Sequence, residues 1–398
     1  MSGERELRVE RFRHDGLRWR VASGASSAIR SRAGWEKLSA DGAFRRIQGR
    51  RDREVHEGWL RDCDPPLRVI AKTMRYPRLL RWLGHLLHST RAAREWRYHS
   101  IAFRAGLPTV RPIALGERYR LGAPVASVLV TEYWEHDATL TGIARSPASA
   151  PALSGLLRAL GEAVRDMHRL GLFHDDLHPA NVLVRLTGDD PLRVIDWKHV
   201  RRSRWPLRRQ AWSQLGKLTW QFENAALFRS DAPEREENFY SGYAGQNAQG
   251  ARSAVRGWLA RTRARLGERA ARRCTATNSM FSRLEQKDLV GFERRAALPA
   301  TLRSPEALRS AAAAGAFADS GESRASIEVR EVAVEPEGDP LRIWREANRV
   351  HASHPLSPKP IAWLQSRDSL RTGWLCTRLE DPSAVSESGD ARADLRPQ

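Results

Sequence analysis

A short polar segment near the middle of the chain carries His174, Asp176 and Asn181 in the order H-x-D-L-x-x-x-N. An apolar stretch, a turn at 188–191, a second apolar stretch and Asp196 follow it. Transfer of a phosphoryl group needs a carboxylate beside the attacking hydroxyl and oxygen ligands that hold Mg²⁺ on the phosphates. Asp176 suits the first role, and Asn181 and Asp196 suit the second. The segment therefore predicts a kinase catalytic loop with its metal-binding aspartate, rather than a surface loop with ordinary turn residues.

An apolar strand pattern that begins at Val69 ends at Lys72. An ammonium group there is costly to bury unless it meets an anion. In a kinase that anion is the pair of α- and β-phosphates, and a glutamate from a helix holds the lysine in place. Glu95 is the only acid between Asp64 and Glu117, so it is the candidate partner. The alternative is an edge-strand lysine that reaches solvent.

Two further segments are candidates for contacts with a nucleotide. The loop Gln48–Arg53 lies where a phosphate-covering loop should be, but it has one glycine, Gly49, and no G-x-G-x-x-G. We expect its arginine side chains to replace some of the backbone contacts. Glu132 and Tyr133 follow an apolar strand pattern, and they are predicted to form a hinge whose backbone groups bind adenine.

The elements that must position these residues form a consistent pattern. A helix is predicted over Thr90–Ala105, ended by Gly106 and Pro108. A helical apolar stripe over Ala152–Leu170 leads directly into the catalytic loop, and a second stripe covers Ala211–Ala225. Five segments have strand patterns: Phe44–Ile47, Glu54–Leu60, Leu67–Lys72, Val110–Leu115 and Ser127–Thr131.

Together these residues resemble the lipopolysaccharide core kinase family, which phosphorylates Kdo or heptose sugars of a lipid-linked inner core and has a protein-kinase-like fold. The resemblance covers about residues 40 to 245. It rests on the segments Val69–Lys72, Arg94–Arg97, Gly106–Pro112, Leu129–Glu132, His174–Asn181 and Ile195–Asp196. One departure is Asp196-Trp-Lys198, where related kinases continue with glycine or another small residue.

The resemblance also implies roles for individual residues and two cofactors, ATP and Mg²⁺. Lys72 and Glu95 would orient the ATP phosphates, and Asp176 would be the catalytic base. Asn181 and Asp196 would hold magnesium. His174 would brace the loop as a structural histidine.

The C-terminal third suggests a weak internal repeat. Phe281–Leu284 is similar to Phe44–Ile47, and Pro360–Trp363 is similar to Pro112–Leu115. Glu380 follows Pro360 at the same interval at which Glu132 follows Pro112. The position of Lys72 is taken by Glu335, and no second H-x-D-L-x-x-x-N occurs. These matches predict a truncated, catalytically empty copy; the alternative is coincidence among short matches.

The predicted fold class is therefore α+β. We expect a two-lobed protein-kinase-like fold with a five-stranded small lobe and a mainly helical large lobe, plus a truncated small-lobe-like C-terminal repeat. The predicted divisions are a loosely ordered basic arm (1–33), the small lobe (34–135), the large lobe (136–250), a basic helical linker (251–273), the degenerate second copy (274–383) and a disordered tail (384–398).

The formal net charge of +20 comes almost entirely from arginine, since the chain has six lysines. Arginine favours bidentate pairing with phosphate and carboxylate, which implies an anionic partner such as a glycolipid or an acidic membrane surface. The alternative is genomic base composition and a solvated surface. Two clusters stand out: Lys198, Arg201, Arg202, Arg204, Arg208, Arg209 and Lys217; and Arg252, Arg256, Arg261, Arg263, Arg265, Arg269, Arg272 and Arg273.

The first cluster follows the metal-binding aspartate, where a kinase accommodates its acceptor. The second cluster is interleaved with Val255, Trp258, Leu259 and Leu266. It predicts either a basic amphipathic helix on an anionic inner leaflet or a domain-linking helix with a solvated face. Nucleic acid is not an expected partner, and the oligomeric state stays open.

Other classes receive no support from the sequence. No run of eighteen apolar residues occurs, and the charged N-terminus lacks the apolar core of a signal peptide. We therefore expect a cytoplasmic protein. Association with the cytoplasmic face of the inner membrane is a further expectation. Cys63, Cys274 and Cys376 indicate neither a disulfide framework nor a zinc site.

The function predicted from these patterns is transfer of the γ-phosphoryl group of ATP to a sugar hydroxyl of lipopolysaccharide inner core or a similar lipid-linked glycan. A protein kinase or a small-molecule kinase of the aminoglycoside or choline type is the alternative within the enzyme class. A pseudokinase-like binding module is the alternative outside it, and the intact set of Lys, Glu, Asp, Asn and Asp argues against that alternative.

Overall fold

The computed structural model describes residues 5–38, 43–50, 52–76, 89–146, 150–203, 208–229, 231–275, 280–285, 289–294, 300–314, 317–318, 326–333, 339, 341–353, 359–366 and 372–379. The contacts divide the chain into two units. The first contains Met1–Gln214 and Phe228–Arg252, and the second contains Leu215–Leu227 and Ser253–Gln398. No helix among the described residues is long and apolar enough to cross a membrane.

An antiparallel sheet of seven strands forms the first part of the first unit, in the order β1-β2-β6-β7-β5-β4-β3. Each of the five segments predicted to be strands contributes to this sheet, although the strand predicted from Val110 begins at Pro112. Its strands are β1 (Val9–His14), β2 (Leu17–Ala22), β3 (Phe44–Arg50), β4 (Arg53–Leu60), β5 (Leu67–Arg75), β6 (Pro112–Arg120) and β7 (Ala123–Glu132).

The N-terminal segment is not the loosely ordered arm that was predicted, and the sheet has seven strands instead of five. β1 and β2 form a hairpin, and β2 pairs with β6. Leu17, Trp19 and Val21 alternate along β2 and are buried in the sheet core. The helix α1 (Ser26–Arg30) adds Ile29 to the same cluster.

Each face of this sheet has its own apolar cluster. Val69 and Ala71 on β5 belong to the cluster that includes α1. Leu115 and Leu129 belong to the other cluster, with Trp96 of the helix α2 (Arg91–Arg104). The helix predicted over Thr90–Ala105 is confirmed as α2.

The second part of the first unit is mainly helical, with short strands around the catalytic segment. Two glycines bring its central helices together, because a Cβ atom at Gly161 would lie 2.1 Å from the Phe239 carbonyl oxygen, and one at Gly242 would lie 2.0 Å from the Arg158 carbonyl oxygen. The elements are β8 (Ala138–Thr139), α3 (Leu140–Arg145), α4 (Ala150–Arg169), β9 (Leu172–His174), β10 (Val182–Val184), β11 (Leu192–Val194), β12 (Val200–Arg202), α5 (Arg208–Asn224), α6 (Pro233–Ala244) and α7 (Ala248–Arg273).

The second unit contains an antiparallel six-stranded sheet in the order β13-β14-β17-β18-β16-β15. Its two faces also carry separate apolar clusters, one with the helix α8 and one with the helix α9. The elements are β13 (Phe281–Glu285), β14 (Leu289–Arg294), α8 (Pro305–Ala314), β15 (Phe317–Ala318), β16 (Ser326–Ala333), α9 (Arg342–Ser353), β17 (Lys359–Ser366) and β18 (Thr372–Leu379).

The boundaries between the two units lie within α5 and within α7. The sequence predicted a single boundary at this point, between the large lobe and the linker at residue 250. A Cβ atom at Gly216 would lie 2.9 Å from the backbone of Trp258. Arg263 donates to both carboxylate oxygens of Glu223 at 2.7 Å. Residues 215–227 therefore pack with the second unit, although they precede the predicted boundary in sequence.

Candidate active site

A buried ion pair joins the sheet to α2. Alternation along β5 places Lys72 on the face opposite Val69 and Ala71. Thr90 accepts a hydrogen bond from the backbone N–H of Ala93 at 2.9 Å and thereby starts α2 one turn before Glu95. Lys72 Nζ donates to Glu95 Oε1 at 2.6 Å, and the Glu95 side chain is 1 % exposed. The structure therefore brings together the lysine and the glutamate that the sequence predicted as partners.

Hydrogen bonds hold the polar segment after β9 in place. β9 pairs with β12, and Asp175 accepts two hydrogen bonds from Arg201 at 2.5 and 2.8 Å. Gln214 of α5 donates to the carbonyl oxygen of His174 at 2.8 Å. The loop that follows His174 is therefore fixed at its start by both a strand and a helix.

Within this loop, Asn181 is oriented by Asp176. The Asn181 Nδ2 group donates to the backbone carbonyl oxygen of Asp176 at 2.9 Å, and Asn181 is buried. Since the amide nitrogen makes this bond, the amide oxygen is the group that Asn181 can offer to a cation. Asp176 is half-buried, so its carboxylate is partly accessible to solvent.

Asp196 lies just beyond β11 in the left-handed backbone region, with φ of +67°. A residue with a side chain adopts this conformation at a cost, and such positions are concentrated at functional sites. Burial alone would raise the pKa of Asp196, but the ammonium groups of Lys72 and Lys198 outweigh it, so the pKa lies below its usual range. Asp196 is therefore ionised at neutral pH despite its burial.

Lys198 makes a contact that sequence reasoning missed. Its Nζ atom donates to Asp196 Oδ2 at 2.6 Å, and both side chains are buried. The sequence placed Lys198 in the basic cluster for the acceptor, whereas the structure pairs it with the predicted metal ligand. The signal was available as the spacing Asp-x-Lys immediately after β11.

The bulky residue between them explains how the chain departs from related kinases. Trp197 is fully buried, and its indole nitrogen donates to Thr109 Oγ1 at 2.9 Å. Its ring lies 6.3 Å from that of His99 on α2 and 5.5 Å from that of His174. Trp197 therefore links the helix that carries Glu95 to the strand that carries the catalytic loop.

His174 is buried and contacts the segment that precedes Asp196. Its ring donates to the Ile195 carbonyl oxygen at 3.4 Å, and burial lowers the pKa of His174 to about 4. The ring is therefore neutral at pH 7. It connects the start of the loop to the residue before Asp196.

The predicted phosphate-covering segment is the end of a tight hairpin. β3 and β4 stay paired up to Arg50 and Arg53, with Gly49 opposite Glu54. Arg51 lies outside the described residues. Arg53 contributes to the lowered pKa of Asp196, which places its charge within electrostatic reach of that carboxylate. Among the described hairpin residues, Arg53 therefore contributes positive charge near Asp196.

In the predicted hinge, the backbone N–H groups already have hydrogen-bond partners within the protein. The backbone N–H of Glu132 donates to the Arg111 carbonyl oxygen, and that of Tyr133 donates to the Arg68 carbonyl oxygen, both at 2.9 Å. The Arg68 guanidinium also lies 3.8 Å from the centre of the Tyr133 ring. These two N–H groups are therefore engaged within the sheet, and adenine recognition by Glu132 and Tyr133 would have to use their other groups.

The donor set of the site fits a magnesium ion. Mg²⁺ prefers carboxylate and amide oxygens, and Asp196 and Asn181 supply one of each. Asp196 stays ionised, and the hydrogen bond from Nδ2 fixes which atom Asn181 presents. These two residues would hold the ion, as the sequence predicted from the resemblance.

The two basic clusters are organised differently. Arg202, Arg208 and Arg209 are exposed after Asp196, whereas Arg201 pairs with Asp175. Arg204 lies outside the described residues. In the second cluster, Arg252 pairs with Glu236. Further contacts of α7 lie within the second unit.

Those contacts pack α7 against α5 and α9. Arg263 pairs with Glu223 of α5, and Ser353 of α9 donates to the Arg263 carbonyl oxygen at 3.1 Å. Glu268 pairs with Arg349 of α9 at 3.1 Å. These contacts cover one face of α7, and both predictions for this helix stay predictions.

The fold and the site together are typical of a protein-kinase-like phosphotransferase: a Lys–Glu ion pair on a sheet and helix, and a loop with Asp and Asn beside a buried Asp. Residues 72–243 match the sequence model of the Lipopolysaccharide kinase (Kdo/WaaP) family. This match confirms the predicted resemblance and supports a phosphotransferase of the lipopolysaccharide kinase type.

One solved structure similar to this chain is "WaaP in complex with acyl carrier protein". The two sequences are 21 % identical, the TM-score is 0.46, and the alignment covers 61 % of this chain and 95 % of that chain. No curated protein matches the chain.

Three buried histidines predict that stability falls in mild acid. Burial lowers the pKa of His99 to about 3 and those of His168 and His174 to about 4. A histidine with a lowered folded-state pKa contributes stability above its unfolded pKa of about 6.5, and that stability is lost as the pH falls toward the folded value. At pH 5 each of these histidines should cost about 2 kcal/mol relative to pH 7.

Urea unfolding of the full-length protein at pH 7 and pH 5 measures this loss. His168→Gln keeps a polar group beside Gln214 and Tyr243 but cannot be protonated. This variant should therefore lose about 2 kcal/mol less between the two pH values than the wild type. Equal losses in the two proteins would show that His168 does not contribute.

Proposed function

We propose that this chain transfers the γ-phosphoryl group of ATP to a sugar hydroxyl of lipopolysaccharide inner core or a similar lipid-linked glycan. We further propose that the seven-stranded sheet with α2 acts as the small lobe and the helical part of the first unit as the large lobe. The observation that carries the proposal is the position of Asp196. It is a buried, ionised carboxylate between two lysines, beside the loop of Asp176 and Asn181.

The roles of the residues follow from their environments. Lys72 is held by Glu95 and would contact the α- and β-phosphates. Asp176 would accept the proton of the attacking hydroxyl. Asn181 and Asp196 would hold Mg²⁺, which supplies positive charge against the phosphate oxygens when it is bound. Lys198 would balance the Asp196 charge before the ion arrives, because a buried carboxylate without a cation is costly.

The acceptor side is inferred from charge and from the family match. Arg202, Arg208 and Arg209 follow Asp196 and are exposed, so their guanidinium groups can meet an anionic ligand. Lipopolysaccharide inner core carries carboxylates and phosphates, which arginine binds in bidentate geometry. A peripheral position at the cytoplasmic face of the inner membrane would bring such an acceptor to the protein.

The test of the proposed function is a transfer assay with labelled ATP and Mg²⁺. The full-length protein would be incubated with Kdo-bearing lipid A, heptosylated inner core, an aminoglycoside, choline and a generic protein substrate. We expect label in a glycolipid. Label only in the aminoglycoside, choline or protein would replace this proposal with the corresponding kinase class, and binding without turnover would support a pseudokinase.

A charge reversal separates the acceptor site from the nucleotide site. Arg202→Glu combined with Arg208→Glu should raise KM for the glycolipid about tenfold or more, because each charge-assisted hydrogen bond contributes about 1.5–3 kcal/mol. KM for ATP should stay unchanged. Arg8→Glu, at an arginine whose side chain is 78 % exposed, is the matched control. Equal KM values for the glycolipid in the double variant and the control would exclude these arginines from the acceptor site.

A further inference from the structure

The sheets of the two units have matching strand orders. β13-β14-β17-β18-β16-β15 follows the same connections as β1-β2-β6-β7-β5-β4, with the helix α9 in the place of α2. Both sheets also have a register irregularity at the same point, between Pro112 and Ala114 in one and between Pro360 and Ala362 in the other. Pro112 pairs with Thr131, and Pro360 pairs with Thr377.

This pairing gives a correspondence that differs from the one predicted from sequence. β13 and β14 correspond to β1 and β2, so Phe281–Leu284 does not correspond to Phe44–Ile47 of β3. Glu335 and Glu380 lie outside the described residues. In the first sheet, Lys72 pairs with Leu129. Leu375 is the residue of the second sheet that corresponds to Leu129, and it pairs with Arg330. Arg330 therefore occupies the position of Lys72.

The helix supplies the partner residue at the corresponding position. The segment Arg91–Glu95 of α2 has the pattern R-x-x-R-E, and Arg342–Glu346 of α9 has the same pattern. Glu346 therefore corresponds to Glu95, as Arg330 corresponds to Lys72. The second unit therefore has a cation and a carboxylate at the positions that correspond to Lys72 and Glu95.

A cavity of about 670 Å³ lies at this place in the second unit. Arg330 and Glu346 both line it, and so do Arg342 and Arg349. Its five charged residues, three Arg and two Glu, leave a net charge of +1. Leu375 and neighbouring aliphatic side chains of α9 form an apolar wall. This size and this mixture of an apolar wall with a few charged groups are typical of small-molecule sites.

The charged side chains remain accessible to a ligand. Arg330 pairs with Glu328 at 3.1 Å, yet its side chain is 68 % exposed. Glu346 pairs with Arg349, and their side chains are 54 % and 42 % exposed. Guanidinium groups bind phosphates in bidentate geometry, and they need no metal ion to do so.

We propose that this cavity is a second, noncatalytic site that binds a nucleoside di- or triphosphate without a metal ion. The arginines contact the phosphates, and the apolar wall contacts the base. No second H-x-D-L-x-x-x-N occurs in the chain, so the site has no base and no magnesium ligands of that kind. The ligand class rests on the proposed role of Lys72 and Glu95, whereas the cavity and its charges do not.

The experiment measures ADP binding to the full-length protein in EDTA. The background variant Lys72→Met with Asp196→Ala disables the first site. In this background, Arg330→Ala and Arg342→Ala should each weaken metal-independent ADP binding about ten- to a hundredfold. Arg283→Ala, at an exposed arginine on β13 away from the cavity, should leave it unchanged. Unchanged thermal midpoints establish that the variants are folded.

Two results would overturn the proposal. The first result is that the background variant loses metal-independent ADP binding while Arg330→Ala in the wild-type protein keeps it. The site of Lys72 and Asp196 would then account for all of the binding. The second is equal affinity for pyrophosphate and ADP, because the apolar wall would then not contact a base. Failure of the proposed function is distinguishable, since it would appear as absent ATP turnover while the Arg330 effect in EDTA persists.

Discussion

Replacement of Asp176 by Asn should reduce phosphoryl transfer by at least about a hundredfold, because general-base catalysis contributes about 10²–10⁴ in rate. Nucleotide binding should be retained, since the side chain of Asp176 is not among the groups assigned to the phosphates or the ion. Asn also preserves the backbone carbonyl of residue 176, which accepts from Asn181 at 2.9 Å. Turnover and ATP affinity would be measured on the same preparation.

The neighbouring carboxylate provides the control. Asp175→Asn removes an ion pair with Arg201 whose two side chains are 42 % and 62 % exposed. Such a pair contributes about 0–1 kcal/mol, so the control should lose no more than about fivefold. Near-normal turnover in Asp176→Asn, or equal losses in both variants, would remove Asp176 from the mechanism.

The second large effect concerns Asp196 and Lys72. Asp196→Ala should abolish the Mg²⁺-dependent part of nucleotide binding, because the carboxylate that would hold the ion is gone. Lys72→Met should mainly reduce turnover, because this residue would orient the phosphates and does not hold the ion. ATP titrations with and without Mg²⁺ distinguish the two outcomes.

Asp196→Ala changes the backbone strain at residue 196 as well as removing its charge, so the two effects need separate variants. Asn tolerates the left-handed conformation of residue 196 better than Ala, so Asp196→Asn tests the charge with little added strain. Asp189→Ala removes an exposed carboxylate from the turn between β10 and β11 and serves as the control. Equal ATP affinity of wild type and Asp196→Ala at saturating Mg²⁺ would contradict the assignment.

The site could be predicted where identity and spacing determine chemistry. His174, Asp176 and Asn181 lie within eight residues of one another, and Lys72 had one acidic candidate within reach in sequence. The sequence assigned Lys198 to the basic cluster for the acceptor instead of to Asp196. A cation two residues after Asp196 can face either the carboxylate or the acceptor. Only burial, which depends on packing around Trp197, determines which of these it does.

The fold was less predictable where basic residues interrupt the apolar pattern. β2 alternates Leu17, Trp19 and Val21 with arginines, so its composition is that of a polar segment although its period is that of a strand. The alignment of the C-terminal repeat relied on short sequence similarities, and these made Glu335 the equivalent of Lys72. Strand register, which sequence similarity over four residues cannot determine, points to Arg330 instead.

The buried Trp197 has a consequence for how far the helix α2 can move. In many kinases the helix that bears the glutamate swings outward, which separates glutamate from lysine and turns the enzyme off. Here that swing would part His99 from the indole ring of Trp197, which lies 6.3 Å away, and would expose two side chains that are buried in the assembled structure. The packing around Trp197 therefore favours the position of α2 in which Glu95 is paired with Lys72.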